Sequence, residues 1–597
     1  LELPTAGSPP PVPRFAVLLA VALLATAAAP AERWFEDVTA RAGVAARHVN
    51  RTFHNPYAAI MSGYTALGAA AAVADYDGDG FEDIFVTTSA EDGKNHLYHN
   101  NGDFTFTDVA EKAGVADGND AGDASADALW LDYDNDGRPD LFVVRFGRSQ
   151  LFHNLGNGRF RDVTREAGLD RYANAISAIA FDYDRDGDLD LFVGGYFKPV
   201  NIFRPETPRF FPESFETAEN GGGLTLWRND GHGHFTDATR AAGIAISGWT
   251  LDLGHGDADG DGDDDLYVAC DFGTDHFFLN NGDGTFTDRT REATGIDTKK
   301  GMNVEWGDYD NDGWLDVFVT NITDDYMREG NFLWRNNGLN KAGEVTFTDV
   351  ARETGTADTG WGWGAKFFDY DDDGWLDLYV VNGWVSAGPQ SYVPDIFAMI
   401  TRPGVDFADA RNWPPMGNKS LSGYQKKKLF HNEGGFFREE AARHGLDSTR
   451  DGRGIAVADF DNDGRLDLFV ANANAEPYLY RNVRPAGPHR VSFLLEGRKS
   501  NRDAIGAQLR ATAGGRTQLR FVDGGNGFAS QSSRRVHFGL GTAAAVDRLE
   551  VRWPSGLRQT FAAVPADRIW RIVEGESDLQ PFTARAGKPA TTEVGKK

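Results

Sequence analysis

Short apolar stretches alternate with turns rich in Asp, Asn and Gly from about residue 33 to residue 482. In one recurring pattern a strand opens directly behind an aspartate, as in Asp83-Ile-Phe-Val, Asp140-Leu-Phe-Val and Asp467-Leu-Phe-Val. In a second, two strands flank an Asn-Gly or Gly-Asn turn, as from His96 to Val109, and this returns over residues 151–163, 226–238, 278–289, 333–350 and 429–439. Such turns between alternating apolar residues are a hairpin signal. Each repeat therefore predicts four strands: A before the Asp-rich turn, B after it, and C and D around the Asn-Gly hairpin. Four-stranded units recurring about every 50–60 residues predict an all-β fold, a seven-bladed β-propeller.

The ends of the array predict its closure. The last repeat has strands A, B and C, ending at Tyr478-Leu-Tyr-Arg-Asn482, but no D. The missing motif stands at the other end as Phe35-Glu-Asp-Val-Thr39, with the usual Ala42-Gly43 tail. The first strand is expected to complete the seventh blade and leave no free edge.

The Asp-rich turn has a fixed inner spacing, with aspartate at positions 1, 3, 5 and 9 and glycine at position 6. The seven copies are Asp75, Asp77, Asp79 and Asp83; Asp132, Asp134, Asp136 and Asp140; Asp182, Asp184, Asp186 and Asp190; Asp257, Asp259, Asp261 and Asp265; Asp308, Asp310, Asp312 and Asp316; Asp369, Asp371, Asp373 and Asp377; and Asp459, Asp461, Asp463 and Asp467. Four carboxylates this close repel each other and resist burial unless a hard cation joins them. Calcium takes six to eight oxygens at about 2.3–2.6 Å, and the related EF-hand loop uses positions 1, 3, 5 and 7 with a sharp glycine turn. Position 7 varies freely here (Phe81, Arg138, Asp188, Trp314), as a backbone carbonyl ligand allows. Position 9 comes too early for an EF-hand and opens a strand. The spacing predicts about seven structural Ca2+ sites, each inside an A–B hairpin. A metal-free Asx turn would explain one copy but not seven complete ones.

The formal charge of −29 follows largely from these loops, and seven bound Ca2+ would roughly halve it. A chain this acidic is a poor partner for nucleic acid, whose phosphates need Lys and Arg. The run Lys426-Lys427-Lys428 reads as a solvated edge, and the single cysteine, Cys270, as a buried small residue. Phe15 to Ala29 is an apolar run of 15 residues that ends in small residues. It predicts a signal peptide over residues 1–31 and a secreted protein, extracellular or periplasmic, with no membrane span after cleavage. An uncleaved anchor is the alternative. Export suits loops that fill where free calcium is high.

The repeats resemble the FG-GAP/VCBS repeats of integrin-α-type propellers over about residues 33–482. That resemblance implies that the A–B loops carry calcium on one face. The B–C and D–A connections gather on the other, where partners bind. Two B–C connections are long, residues 197–224 and 383–425, and their aromatic content predicts ordered lids. The D–A segment from Ala45 to Thr65 joins them. The candidate ligand face comprises His48, His54, Asp127, Asp252, Asn303, Glu305, Trp384 and Trp413. The competing reading for the strand A residues is hydrogen bonding between adjacent blades, and for the aromatics, packing within the lids.

After Asp467 the loops stop, and residues 484–488 read as a linker. Alternating segments such as Val491-Ser-Phe-Leu-Leu and Leu549-Glu-Val-Arg-Trp then predict a small β-sandwich over residues 489–576, expected to melt independently of the propeller, with a flexible tail over residues 578–597. The motifs Ser500-Asn-Arg-Asp-Ala-Ile-Gly-Ala, Ser530-Gln-Ser, His537-Phe-Gly-Leu-Gly and Trp553-Pro-Ser-Gly resemble the ASPIC/UnbV domain of the cartilage-acidic-protein family. This implies a secreted, calcium-binding protein engaged in interactions.

The chain lacks a nucleophile elbow, a phosphate loop and a His-rich metal signature. No catalytic residue is assigned. The leading expectation is an interaction scaffold presenting its lidded face to a protein, glycan or small molecule. The alternative is an enzyme with a pocket under the two lids, acting on a small molecule or glycan.

Overall fold

The computed structural model describes residues 33–58, 68–406 and 409–584. The proposed signal segment, part of the D–A segment and the last residues lie outside this range. Where each A–B turn was expected, four antiparallel strands form a unit, and units 2 and 3 are joined into one eight-stranded sheet by residues 172–174 pairing with residues 146–148. Unit 1 runs Ala71–Ala74, Asp83–Val86, His96–Asn100 and Phe106–Asp108. Strand A of this unit is Ala-rich and wholly buried, whereas D buries only Phe106, so burial falls from the inner strand to the outer.

The N-terminal strand Phe35–Asp37 pairs with Tyr478–Asn482, in the register Phe35↔Asn482 and Asp37↔Tyr480, and so completes unit 7. Phe35 is buried while Glu36 and Asp37 are exposed, so this short outer strand is anchored by its first side chain. The seven first strands neighbour one another in cyclic order, and Gly452–Ala458 of unit 7 returns to Ala71–Ala74 of unit 1.

One asparagine per unit stitches this ring. Strand C ends in Asn100, Asn154, Asn229, Asn280, Asn336, Asn432 or Asn482, each at most 3% exposed. In unit 1 the Asn100 amide donates to the Glu82 carbonyl of its own loop at 3.0 Å and to the Phe460 carbonyl of unit 7 at 2.8 Å. The pattern repeats as Asn154 to Tyr76, Asn229 to Tyr133, Asn280 to Tyr183, Asn336 to Ala258, Asn432 to Tyr309 and Asn482 to Tyr370, all at 2.7–3.0 Å. Each amide thus satisfies two buried carbonyls that would otherwise lack donors.

Residues 489–581 build two four-stranded sheets. One is ordered Val536–Gly541, His489–Glu496, Arg568–Val573, Gln580–Pro581, so the stretch read as a tail begins with a strand. The other is ordered Arg516–Phe521, Gln508–Ala513, Ala545–Arg552, Arg558–Pro565. Their inner faces share one apolar core, which runs on into units 2 to 4 through Leu129, Phe181 and Leu253. Where two independent bodies were expected, the described residues from 33 to 584 fall within a single compact unit. The linker is also anchored, because buried Arg484 pairs with Asp372.

Of two smaller expectations, the first holds and the second does not. Cys270 is buried. The lysine run is not a solvated edge throughout: Lys427 is 1% exposed and donates to the carbonyl of Asn382 at 2.8 Å, and burial lowers its pKa to about 7.

Candidate metal centres

The local hydrogen bonding of each A–B loop aims its carboxylates inward. In loop 1, Asp75 Oδ1 accepts the N–H of Asp79 at 3.0 Å and its Oδ2 that of Gly80 at 2.9 Å. Asp79 Oδ1 accepts the N–H of Phe81 at 2.9 Å. Asp83, opening strand B, accepts the N–H of Asn100 at 2.7 Å and of Tyr76 at 3.2 Å. Loop 2 repeats the first two bonds at 3.0 and 2.7 Å, and loop 6 at 3.1 and 2.8 Å. Glycine at position 6 is required, since φ is +93° at Gly80 and +98° at Gly262. The outcome is a convergent set: oxygens of Asp75, Asp77 and Asp83, and likewise of Asp132, Asp134 and Asp140, lie within 4.8 Å of one another.

Such a set is electrostatically unstable by itself. Burial pushes the Asp83, Asp190, Asp265, Asp316 and Asp467 carboxyls well above the usual carboxylate range. At position 1, burial first and neighbouring carboxylates second raise Asp182 to about 8, and burial with nearby Asp503 raises Asp132 to about 8. Asp140 Oδ2, Asp184 Oδ1 and Asp461 Oδ1 are buried and accept no hydrogen bond from any described residue. Clustered oxygens with unused lone pairs fit a hard divalent cation with many oxygen ligands, which would offset the repulsion. Position 4 adds an inter-loop link: Asn135 donates to the Gly187 carbonyl at 3.1 Å, Asn311 to that of Gly374 at 3.0 Å and Asn462 to that of Gly80 at 3.0 Å.

The C-terminal sheets sit over these loops. Arg535 donates to the Gly80 carbonyl of loop 1 at 2.9 Å, Arg510 to that of Gly313 in loop 5 at 2.9 Å, and Arg516 to that of Asp373 in loop 6 at 2.7 Å. Loop 2 accepts the N–H of Arg502 on Asn135 at 2.8 Å, and loop 4 holds Arg552 on the Gly260 carbonyl at 2.8 Å. Arg490 reaches the Asp463 carbonyl of loop 7. Loop 3 abuts the Lys499 carbonyl so closely that a Cβ on Gly187 would stand 2.9 Å from it.

Residues 523–535 leave the sheets and enter the ring. They meet the first strand of every unit. Ala71 N–H donates to Ala529 at 3.1 Å, Trp130 N–H to the Gln531 side chain at 2.7 Å and Ala180 N–H to Gly524 at 2.9 Å. His255 N–H donates to the Asn526 side chain at 2.8 Å, Phe528 N–H to Asn303 at 2.9 Å and Ile455 N–H to Ser530 at 2.8 Å. Lys366 of unit 6 reaches the Asn526 carbonyl. Ser530–Gln531 even adds a parallel strand to Ala71–Ala72.

The eight candidate ligand-face residues are not brought together. Asp127 accepts the N–H of Ala178 in the next unit at 3.3 Å, Asp252 that of Val304 at 2.7 Å, and Asn303 that of Ala365 at 2.9 Å. Glu305 pairs with Lys366 at 3.0 Å and is buried. All four lie on the first strands, the strands met by residues 523–535. On the lids, His48 is buried beside Ser89, and burial holds its pKa near 3, whereas His54 is exposed. Trp384 packs on Trp361 with ring centres 4.3 Å apart, and Trp413 packs against the small cluster of Tyr392, Met416 and Leu421. The 197–224 lid is also aromatic and ordered: Tyr57 meets Phe210 and Phe211 edge-on at 5.4 and 5.0 Å. Between the B–C connections of units 5 and 6 lies an open cleft of about 710 Å³, lined by Asp324, Tyr326, Gln390, Phe397, Ser422 and Gln425 among others.

The residue before each stitching asparagine, not among the candidates above, also stands beside its loop. It is His99, His153, Arg228, Leu279, Arg335, His431 and Arg481 in units 1 to 7, and six of the seven are basic or imidazole side chains. That repetition was a readable signal.

Two protein families match parts of the chain. The FG-GAP-like repeat family matches residues 75–129, 132–193, 257–319 and 420–470, and the ASPIC and UnbV family matches residues 497–579. Cartilage acidic protein 1 of Xenopus tropicalis is 27% identical over 310 residues, covering 49% of this chain and 40% of the relative. The Homo sapiens protein is 25% identical over 307 residues, covering 49% and 39%. The match thus spans about two fifths of the length of these curated relatives. Among solved structures, an Agrocybe aegerita lectin that recognises non-reducing terminal N-acetylglucosamine shares 18% identity at a TM-score of 0.34, covering 68% of this chain and 87% of its own. The chain carries FG-GAP-like repeats followed by a C-terminal ASPIC and UnbV domain, and its curated relatives are cartilage acidic protein 1.

Proposed function

We propose that the ring is a seven-bladed β-propeller whose A–B loops hold about seven structural calcium ions. The protein acts as an exported binding scaffold that presents the face opposite those loops. The carrying observation is the asymmetry of the two faces. The C-terminal sheets cover the loops, and residues 523–535 bond to every first strand. The lidded side offers an open cleft with exposed Phe397 and Tyr424 near its rim. A protein, glycan or small molecule is the fitting ligand class. The strand A carboxylates are tied to backbone N–H groups or to lysine, which favours a scaffold over catalysis. Export is supported by the apolar run Phe15 to Ala29 and by the calcium demand of the loops. Among the described residues no helix is long and apolar enough to cross a membrane.

A screen of glycans, peptides and small molecules on the calcium-loaded protein tests this. A ligand so found should lose at least about tenfold in affinity in Phe397→Ala or Tyr424→Ala, about 1.4 kcal/mol. It should be unaffected by Arg548→Ala on the exposed surface of the C-terminal sheets. Binding that follows the Arg548 variant, or turnover of the ligand, would overturn the reading.

A further inference from the structure

The seven loops are not chemically alike, and the difference lies in strand C. In units 1, 2 and 6 an imidazole faces the carboxylates of positions 3 and 9. His99 Nδ1 lies 3.3 Å from Asp83 and 3.5 Å from Asp77. His153 Nδ1 lies 3.2 Å from Asp140 and 3.4 Å from Asp134. His431 Nδ1 lies 3.2 Å from Asp377 and 3.7 Å from Asp371. The Nδ1 atoms of His99 and His153 are buried and make no hydrogen bond of good geometry among the described residues, whereas His431 Nδ1 bonds to Asp377 at 3.2 Å. Each nitrogen also clusters with the carboxylates of positions 3 and 5 within 4.8 Å. Donors spaced in this way suit a shared cation: ligands at right angles about 2.1 Å from one ion lie about 3 Å apart.

The imidazoles are held in place. The position 2 tyrosine of each loop meets its histidine edge-on, Tyr76 with His99 at 6.2 Å, Tyr133 with His153 at 6.0 Å and Tyr370 with His431 at 5.9 Å. The other four loops lack the nitrogen donor. Arg228 sets its guanidinium 2.7 Å from Asp184, Arg481 pairs with Asp461, Arg335 fills the same position in unit 5, and unit 4 has Leu279. A guanidinium there opposes a cation, and a leucine offers it nothing.

We propose that loops 1, 2 and 6 are mixed oxygen–nitrogen sites in which a first-row divalent cation of the Mn2+ to Zn2+ class replaces calcium, held through His99, His153 and His431, while the other four loops are oxygen-only and keep calcium. Imidazole shifts preference toward these metals, whereas carboxylate and carbonyl sets suit calcium. The proposal rests on the reading of the loops as cation sites.

The test adds Mn2+ to calcium-saturated protein. After dialysis against calcium, retained Mn2+ is counted by atomic emission, and pulsed EPR reads nitrogen coupling from a coordinated imidazole. The expected result is three Mn2+ per chain with nitrogen coupling, one for each histidine. H99Q, H153Q and H431Q should each remove one of the three, and the triple variant all of them, with the calcium of the other four loops unchanged. Retained Mn2+ without nitrogen coupling, or coupling that survives the triple variant, overturns the proposal. A protein that holds calcium but retains no Mn2+ overturns it alone. One that binds no divalent ion overturns the calcium reading as well.

Discussion

The two faces of the ring are built on opposite principles. On the loop side the same nine-residue turn is written seven times, and each asparagine stitch and each buried position 9 carboxylate recurs in register. A single domain can therefore cover that face with repeated contacts: four of its arginines, Arg490, Arg510, Arg516 and Arg535, lie against carbonyls of four different loops. On the lid side no two connections match. Their aromatics pack among themselves, yet Phe397, Ile400 and Tyr424 remain 44–53% exposed. Repetition has gone into stability and variation into the surface left open.

Mutations should divide along the same line. Deleting residues 33–39 should cost most. It uncovers the edge of Tyr478–Asn482 and removes buried Phe35 and Val38, a loss of about 3–6 kcal/mol from those two side chains alone. The truncated protein should melt lower and aggregate; light scattering during thermal unfolding checks this. Replacing Asn100 by alanine strands the Glu82 and Phe460 carbonyls at the closure and should cost about 1–3 kcal/mol in chemical denaturation. Phe397→Ser on the open face should change stability by no more than about 0.5 kcal/mol.

pH gives a sharper contrast. In metal-free loops the folded state raises its carboxyl pKa values, to about 8 for Asp132, Asp182 and Asp377, above the unfolded value of about 4. A raised carboxylate pKa means the folded state binds protons more tightly, so metal-free stability should increase as pH falls from 8 toward 5. Calcium-loaded protein should do the reverse, because protons displace the ion. The gap between the two melting temperatures should therefore be wide at pH 8 and close toward pH 5.

Much of this was legible in the sequence because it is local. Period-two alternation, Asn-Gly turns and the Asp spacing gave the strands and loops, and the orphaned Phe35-Glu-Asp-Val motif gave the closing strand. The insertion of residues 523–535 was not legible. The Gly524-Gly-Asn-Gly527 run shows no periodicity, and the partners of residues 523–535 are backbone and side-chain groups on seven strands far away in the chain. Asp127, Asp252 and Asn303, set among the candidate ligand-face residues, instead follow the competing reading of hydrogen bonding between neighbours, since their oxygens accept N–H groups of the next unit. Lys427 misled in a third way: a charge run suggests solvent, but its middle residue is buried against Asn382.

Calorimetry with and without calcium tests the central claim, that cation-filled loops hold the ring and its cap as one body. Each site occupied at a hundredfold excess over Kd adds about 2.7 kcal/mol, so several sites rival the whole stability of an ordinary domain. The account predicts one transition, spanning repeats and C-terminal domain together, that moves to much lower temperature in EDTA. A transition indifferent to calcium, or a C-terminal domain that melts separately at an unchanged temperature, would contradict it.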